Sequence, residues 1–257
     1  MAFPVRKKNR RNTRCQRGDC CFRFRRLQNI RSECSKRKLI VDSGNLRTRI
    51  GGSNHRQRHC YIGASDHTFR AINTCNGEIK WTFTGVKGYI ETKPLVTDSK
   101  VIFGAWDNTL YALNKADGRE LWKWTGGLTR MHFSPAAVWP VAAEGKVFIT
   151  DPQRAMTAIE IETGNTVWRT FQSMVRETIG LSEDGERIYS KTMNDSIVCY
   201  STKGSHLHEL WASNVGFGYE HAPSMQVEKD GIVFGSTKEG LIFALELRPE
   251  KYCGNTK

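Results

Sequence analysis

The stretch VIFGAWDNTLYALNKADGRELWKWT, residues 101–125, decides the fold. It contains three short runs rich in β-branched and aromatic residues, separated by two groups of turn-forming residues. It lacks the apolar spacing of three and four residues that an amphipathic helix sustains over about ten residues or more. The stretch therefore predicts a β-meander of three strands, with runs at 101–103, 110–113 and 121–122.

The same pattern recurs along the chain at a nearly constant period. The residues at equivalent positions are separated by 41, 46, 41 and 45 residues, counted between Ala71, Ala112, Ala158, Cys199 and Ala244. A period of about 40–45 residues built from short strands is typical of β-propeller blades, which must stack because one blade cannot bury both of its faces. The sequence predicts an all-β fold, a partial β-propeller of four-stranded blades over residues 61–246.

Three of the repeats share a sharper motif, in which an alanine, five residues, a glycine, three residues and a tryptophan follow one another. With this motif the chain resembles the PQQ-like, or quinoprotein, β-propeller repeat family of bacterial proteins. In that family the tryptophan packs between blades against a small residue and a glycine-containing turn. The fourth repeat departs from the pattern, because the turn between Gly204 and Trp211 is longer. The resemblance implies a structural, blade-docking role for Ala71, Gly77, Trp81, Ala112, Gly118, Trp122, Ala158, Gly164 and Trp168.

The formal charge of +13 is concentrated at the amino terminus. Residues 1–60 hold 18 Lys and Arg against three acidic residues, a net of +15, whereas the rest of the chain holds 21 against 23, a net of −2. Three interpretations of this segment remain open: a disordered basic tail that binds nucleic acid, a cysteine-rich metal module with irregular spacing, and a stretch translated out of frame. Because the segment is high in charge and poor in apolar periodicity, we expect residues 1–60 to form no well-packed domain.

The out-of-frame interpretation rests on what the alternative codons allow. Read one base later, the codons of residues 18–42 can encode a propeller repeat with alanine, glycine and tryptophan at docking spacing, and those of residues 47–60 can lead directly into Tyr61. The other alternative frame after Leu247 restores the same motif with Ala244. Residues 247–257 are therefore interpreted as an irregular, possibly out-of-frame tail, and the chain as a propeller fragment.

A candidate ligand site follows from aligning the predicted inner strands on Pro94, Pro135, Ile179 and Pro223. Four polar residues recur three positions before these points, where inner strands of a propeller start beside the central channel. They predict a cluster that either pairs internally or converges on a small polar ligand or cation. The candidate channel site consists of Glu91, His132, Arg176 and Glu220, with His221 beside them.

The chain carries none of the common hydrolase, metalloprotease or phosphate-binding motifs. Trp106 and Trp124 lie outside the docking motif, so each is interpreted either as packing or as a platform for a flat ligand. Asp107, Asp151 and Asp195 are interpreted as turn formers.

The resemblance leads us to expect a non-catalytic binding or scaffold propeller for protein partners, with no cofactor, no metal and no specific nucleic acid. Two alternatives stay open: a fragment of a dehydrogenase that depends on PQQ and calcium, or a sensor propeller attached to a separate catalytic domain. No apolar run has the length of a membrane span. The resemblance suggests a periplasmic or exported protein, although no signal peptide is visible in the sequence.

Overall fold

A computed structural model describes residues 32–34, 37–39, 50–56, 59–126, 135, 138–151, 153–175, 179–215, 225–236 and 242–247. Every regular element in this part of the chain is a β-strand, apart from a single 3₁₀ residue at Pro135. Within it, no helix has the length and apolar character needed to cross a bilayer. The prediction of an all-β protein is confirmed.

Most strands form sheets in which each strand pairs antiparallel with the next along the chain. The first sheet contains β3 (Ile50–Arg56), β4 (His59–Ala64), β5 (Phe69–Asn73) and β6 (Ile79–Phe83). The second contains β7 (Leu95–Val96), β8 (Lys100–Ala105), β9 (Thr109–Asn114) and β10 (Glu120–Thr125). The third contains β11 (Val141–Ala143), β12 (Lys146–Thr150), β13 (Met156–Glu160) and β14 (Thr166–Thr170).

Two further sheets continue the pattern. The fourth contains β15 (Gly180–Leu181), β16 (Arg187–Lys191), β17 (Ser196–Ser201) and β18 (Glu209–Asn214). The fifth contains β19 (Val227–Lys229), β20 (Ile232–Ser236) and β21 (Ile242–Glu246). Near the amino terminus, β1 (Ser32–Cys34) and β2 (Arg37–Leu39) pair with each other. The architecture is a partial β-propeller, as the repeat predicts.

The sheets stack through four apolar clusters, one between each pair of neighbours. In the second sheet, Val101 and Phe103 pack toward the first sheet, whereas Ile102 packs toward the third. Because side chains alternate between the two faces of a strand, a strand that is covered on both faces must be apolar throughout. This is why the second and third strands of a sheet read as continuous apolar runs in the sequence.

Two of the positions on which the inner strands were aligned lie just outside the observed strands. Pro94 directly precedes β7, and Ile179 directly precedes β15. Before β7, Thr92 bonds through its hydroxyl to the carbonyl of Gly104, and Pro94 has no backbone N–H to donate to a ladder. The residues that lead into the second sheet therefore belong to the preceding connection and not to a strand.

The first sheet also includes β3, which lies inside the segment 1–60 that the sequence analysis sets apart. β3 pairs with β4 between Ile50 and Ala64 and between Arg56 and His59. The boundary at residue 61 and the interpretation of both chain ends stay predictions. Cys20, Cys21 and the tail 248–257 lie outside the described residues.

Candidate functional site: the connector surface

The connections between successive sheets lie at one rim of the partial propeller. Because the strands of each sheet alternate in direction, the outer strand ends at the same rim as the loop between the two middle strands. The opposite rim carries the tight turns within each sheet. Connections and middle loops therefore meet at the first rim, which we call the connector rim.

The first connection, residues 84–94, runs along this rim without regular secondary structure and bends at Gly88 and Thr92. From residue 86 to residue 92 buried and exposed residues alternate without exception: Val86, Gly88, Ile90 and Thr92 are buried, whereas Lys87, Tyr89 and Glu91 are exposed. This alternation places Lys87, Tyr89 and Glu91 on the side that faces solvent. The connection therefore presents an ordered row of side chains to solvent.

Close contacts to both neighbouring loops hold this row in place. A Cβ atom on Gly63 would lie 2.1 Å from Ile90, and one on Gly88 would lie 2.4 Å from the backbone nitrogen of Asp107. The N–H of Trp106 donates to the carbonyl of Tyr89 over 2.9 Å, and the N–H of Lys87 donates to the Asp107 carboxylate over 2.9 Å. The connection is thus clamped between the middle loops of the first and second sheets.

Aromatic and charged side chains flank the row. The rings of His67 and Tyr89 lie 5.3 Å apart, and the indole N–H of Trp106 donates to the Glu91 carboxylate over 3.2 Å. The Lys93 ammonium lies 5.6 Å from the ring centre of Trp139, which belongs to the next connection. We call this group the connector surface, defined as His67, Tyr89, Glu91, Lys93, Trp106 and Trp139.

The other carboxylates near the connector surface are satisfied internally. Asp107 accepts the hydroxyl of Tyr111 over 2.7 Å in addition to the N–H of Lys87. Burial and this bond to Asp107 raise the pKa of the Tyr111 phenol. Asp66 pairs with Arg70 over 2.6 Å. Burial acts to raise the pKa of Asp66, but its bonds to Arg70 and Thr68 outweigh burial and lower it.

The predicted docking residues lie at the contacts between sheets. Trp81 packs on Gly118 of the second sheet, where an added Cβ would lie 2.5 Å from the indole, and its N–H donates to the carbonyl of Lys115 over 3.1 Å. Trp122 repeats this arrangement one sheet later, with Gly164 at 2.7 Å and the carbonyl of Ile161 at 3.0 Å. Each tryptophan therefore contacts the turn of the following sheet.

The third junction differs, as the longer turn after Gly204 suggests. An added Cβ on Gly204 would meet nothing within 4 Å, so no indole lies on this glycine. Trp168 is only partly buried, and it packs in the cluster to which Leu207 of the longer turn also belongs. The junction between the third and fourth sheets therefore lacks the tryptophan–glycine contact of the first two.

A second type of contact between sheets, made by basic side chains, was not predicted from the sequence. In the second, third and fourth sheets the first residue of the second strand is basic, and it reaches the next sheet. Lys100 pairs with Glu162, Lys146 donates to the carbonyl of Thr202, and Arg187 pairs with Glu228. Their spacing matches the propeller period, a signal that an alignment of the repeats on charge would have shown.

In the first sheet the equivalent basic position is His59. Burial lowers the pKa of its imidazole, and the charges of Lys80 and of Lys115 in the next sheet lower it further. A protonated His59 is therefore disfavoured at this junction. The other three positions, by contrast, carry a cation that binds an acceptor in the next sheet.

The structure locates one member of the predicted channel site. Glu91 lies on the exposed side of the first connection, four positions before β7. His132, Arg176, Glu220 and His221 lie outside the described residues, so their convergence stays a prediction. Trp124, by contrast, is buried between sheets and donates its indole N–H to the hydroxyl of Thr166 over 2.8 Å.

The connector surface also carried a signal that the sequence analysis missed. Residues 86–94 read VKGYIETKP, in which small or apolar residues alternate with charged residues and tyrosine. Such alternation is typical of a half-buried extended segment. The pattern singles out Tyr89 and Lys93 together with Glu91, whereas alignment of the inner strands selected Glu91 alone.

No group of side chains that could hold a calcium ion is found among the described residues. Among them, no three His, Cys, Asp or Glu side chains are grouped so that they could hold a metal ion. Calcium in proteins takes six to eight oxygen ligands, of which carboxylates are the main source. Glu91 alone does not supply such a set.

Comparisons with known proteins agree with the fold. Residues 45–248 match the sequence profile of a family described as outer membrane protein assembly factor BamB. No curated protein sequence matches the chain.

The solved structures that resemble the chain include proteins with different activities. They include BamB from Moraxella catarrhalis, with 14% identity and a TM-score of 0.58 over 76% of this chain and 60% of that one. The designed protein Ika8 has 17% identity and a TM-score of 0.62 over 77% and 58%. Quinohemoprotein alcohol dehydrogenase from Comamonas testosteroni has 17% identity and a TM-score of 0.59 over 76% and 41%.

These likenesses show the fold alone, and the chain spans 60% or less of the length of each of these proteins. The profile match is more specific, because it extends over most of the chain and includes all five stacked sheets from β3 to β21. It agrees with the tryptophan–glycine contacts and the repeat period described above. The chain belongs to the family described as outer membrane protein assembly factor BamB, whose members are built from PQQ-like β-propeller repeats.

Proposed function

We propose that this chain is a non-catalytic propeller piece that binds a protein partner through its connector rim. The observation that carries the proposal is the exposure of large apolar side chains on successive connections. Tyr89, Trp139 and Phe171 are 47%, 44% and 53% exposed, and they belong to three different connections at the same rim. Aromatic side chains that are repeatedly exposed at one rim are typical of protein interaction sites.

The chemistry of the rim supports a protein surface as the ligand. Two of the three exposed rings have a charged neighbour: Lys93 lies 5.6 Å from the ring centre of Trp139, and Arg169 lies 5.4 Å from that of Phe171. Aromatic rings combined with arginine are enriched in interfaces between proteins. A partner can therefore bury these rings and meet the charged groups at the edge.

Other exposed apolar residues lie on strands. Ile79 and Leu121 lie in the outer strands β6 and β10, and Val227, Phe234 and Ile242 share one face of the three-stranded fifth sheet, in which Val227 pairs with Phe234 and Ser236 pairs with Ile242. Neither set recurs on successive connections at one rim. The connections are therefore the better candidate for a partner site.

Photo-crosslinking in cells that express the full chain tests this proposal. Benzoylphenylalanine in place of Tyr89 or Trp139 is expected to capture a distinct protein partner, whereas the same group in place of Cys75, an exposed residue on the opposite rim, is not. Crosslinks of equal intensity at both rims, or none at the connector rim, would contradict the proposal.

The dehydrogenase alternative has its own measurement. The purified chain is mixed with PQQ and calcium, and dye-linked alcohol oxidation is recorded. Activity above that of the cofactor in buffer would overturn the non-catalytic assignment, and we expect none, because the described residues offer no calcium ligand set.

A further inference from the structure

We propose that the connector surface recognises a basic side chain in an extended peptide segment of the partner, with Glu91 as its anionic contact and the ring of Tyr89 beside it. This inference rests on the proposed function, since it specifies the chemistry of the partner at the same rim. It also specifies the sequence of the partner segment, in which an apolar, a basic and an acidic side chain occupy alternate positions.

The charge argument begins with Glu91. Its carboxylate accepts one bond from a neutral donor, the indole of Trp106. Among the described residues no ion pair includes Glu91, whereas Asp66 is neutralised by Arg70. An exposed carboxylate with one neutral partner retains its full charge and further acceptor positions. It is therefore the group at this surface that attracts an ammonium or guanidinium ion.

The aromatic ring beside Glu91 adds to this attraction. Tyr89 and Glu91 are two residues apart on the exposed side of the same connection, between its bends at Gly88 and Thr92, and two residues of extended backbone span about 6–7 Å. A cation bound to the carboxylate then lies within the distance, about 6 Å from a ring centre, at which the face of tyrosine attracts it. The ring of His67 lies 5.3 Å from that of Tyr89 and packs against it in a tilted arrangement.

The spacing of the row points to an extended peptide and not to a free ion. Tyr89 and Glu91 lie two residues apart between the bends at Gly88 and Thr92, and side chains on one face of an extended peptide have the same spacing. An apolar side chain of such a peptide meets Tyr89 and a basic one meets Glu91, and beyond the bend an acidic one meets the half-buried Lys93. The ammonium of Lys93 is already held at Trp139.

The close contacts that hold the first connection in place preorganise this surface for binding. Ile90 is fully buried with its side chain against Gly63, and Gly88 allows the backbone of Trp106 and Asp107 to approach closely. Little conformational entropy is then lost when a peptide is bound, because the exposed side chains project from a backbone that is already fixed.

The test uses the full chain and two fluorescein-labelled peptides, Leu-Ser-Arg-Ser-Glu and the same sequence with citrulline in place of arginine. Citrulline keeps the shape of the side chain but lacks the charge. In fluorescence polarisation we expect the arginine peptide to bind about fivefold more tightly than the citrulline peptide, the size of effect that a cation–π contact and one exposed charge pair give together.

Two variants make the result specific to the site. Glu91→Gln is expected to remove the preference for arginine, and Glu78→Gln, which changes an exposed carboxylate on the opposite rim, is expected to keep it. Circular dichroism of both variants checks that each is folded. In 1 M NaCl the preference is expected to fall, because exposed charges are screened at that ionic strength.

Equal affinity for both peptides, or a preference that persists in folded Glu91→Gln, would overturn the recognition of a basic side chain. Either result leaves the partner site at the connector rim untouched, since that site is tested separately by crosslinking at Tyr89 and Trp139. A loss of those crosslinks would instead remove both proposals.

Discussion

Gly164 shows how one residue serves two purposes at a sheet junction. Its φ of +78° lies in the left-handed region, where a side chain is strained, and its missing Cβ leaves room for the indole of Trp122. Gly145 has a similar φ of +69°, but nothing lies within 4 Å of its Cβ position. A substitution at Gly145 therefore introduces only backbone strain, whereas one at Gly164 introduces the same strain and a clash with Trp122.

We expect Gly164→Ala to destabilise the protein more than Gly145→Ala does. The left-handed conformation costs roughly 1–2 kcal/mol in either variant, and Gly164→Ala adds the displacement of Trp122. The free energy of unfolding, measured by urea denaturation of both variants, gives the difference. Equal losses would show that the contact between Trp122 and Gly164 contributes nothing to stability.

The sequence predicted which residues recur at this scale but not which of them touch. The motif placed Ala112, Gly118 and Trp122 in one repeat, yet the indole of Trp122 lies on Gly164 of the following repeat. Spacing along the chain identifies equivalent positions. It does not tell which neighbouring sheet each position faces, because that depends on the direction in which successive sheets stack.

At the scale of the elements, the junctions between sheets are built unequally. The first two combine a tryptophan on a glycine with a bond to a carbonyl, whereas the third has a partly exposed Trp168 and an open Gly204. The fourth junction relies on Glu228, which accepts the hydroxyl of Tyr189 and pairs with Arg187. The clusters that join the sheets therefore differ in how much they depend on a single aromatic side chain.

This inequality gives a prediction for two equivalent tryptophans. Trp122→Ala should cost about 3–5 kcal/mol, the range for removing a large buried aromatic side chain. Trp168→Ala should cost less, because Trp168 is partly exposed and has no glycine beneath it. Chemical denaturation followed by circular dichroism compares the two variants. A larger loss for Trp168→Ala would contradict the assignment of the stronger junction to Trp122.

The connector surface also belongs to this scale. Glu91 was predicted as a site residue from its distance to the inner strand, but its neighbours His67, Trp106 and Trp139 come from separate loops. Their meeting depends on the close approaches at Gly63 and Gly88. No spacing in the sequence encodes that approach, although the alternation over residues 86–94 marks the row itself.

At the scale of the whole molecule, the amino-terminal segment contributes to the first sheet. β3 pairs with β4 along most of its length, and the family match starts at residue 45. The chain before residue 45 lies outside that match. The basic charge of residues 1–60 is therefore shared between a part that joins a sheet and a part outside the family match.

Two truncations separate these parts. Removal of residues 1–44 is expected to leave the free energy of unfolding of the propeller nearly unchanged, whereas removal of residues 1–60 is expected to lower it, because the first sheet then loses β3 and part of β4. Urea denaturation of the two truncated proteins and the full chain gives the comparison. Equal stability of both truncated proteins would show that β3 adds nothing to the fold.

The sequence by itself determined the all-β class, the repeat period and the family. It did so because a strand buried on both faces must be apolar along its length and because each blade repeats the same turn chemistry. Both properties are local, so they can be read from residues close together in the chain. The docking motif is local in the same sense, since its alanine, glycine and tryptophan lie within one repeat.

Only the tertiary structure decided which repeats touch and where the connections lie. The basic residue that opens a second strand finds its acceptor 62 positions away for Lys100 and 56 positions away for Lys146. The connector surface gathers His67, Glu91 and Trp139 from three separate segments. Such contacts are fixed by the stacking of sheets, which is a packing property of the whole molecule and leaves no pattern within any one repeat.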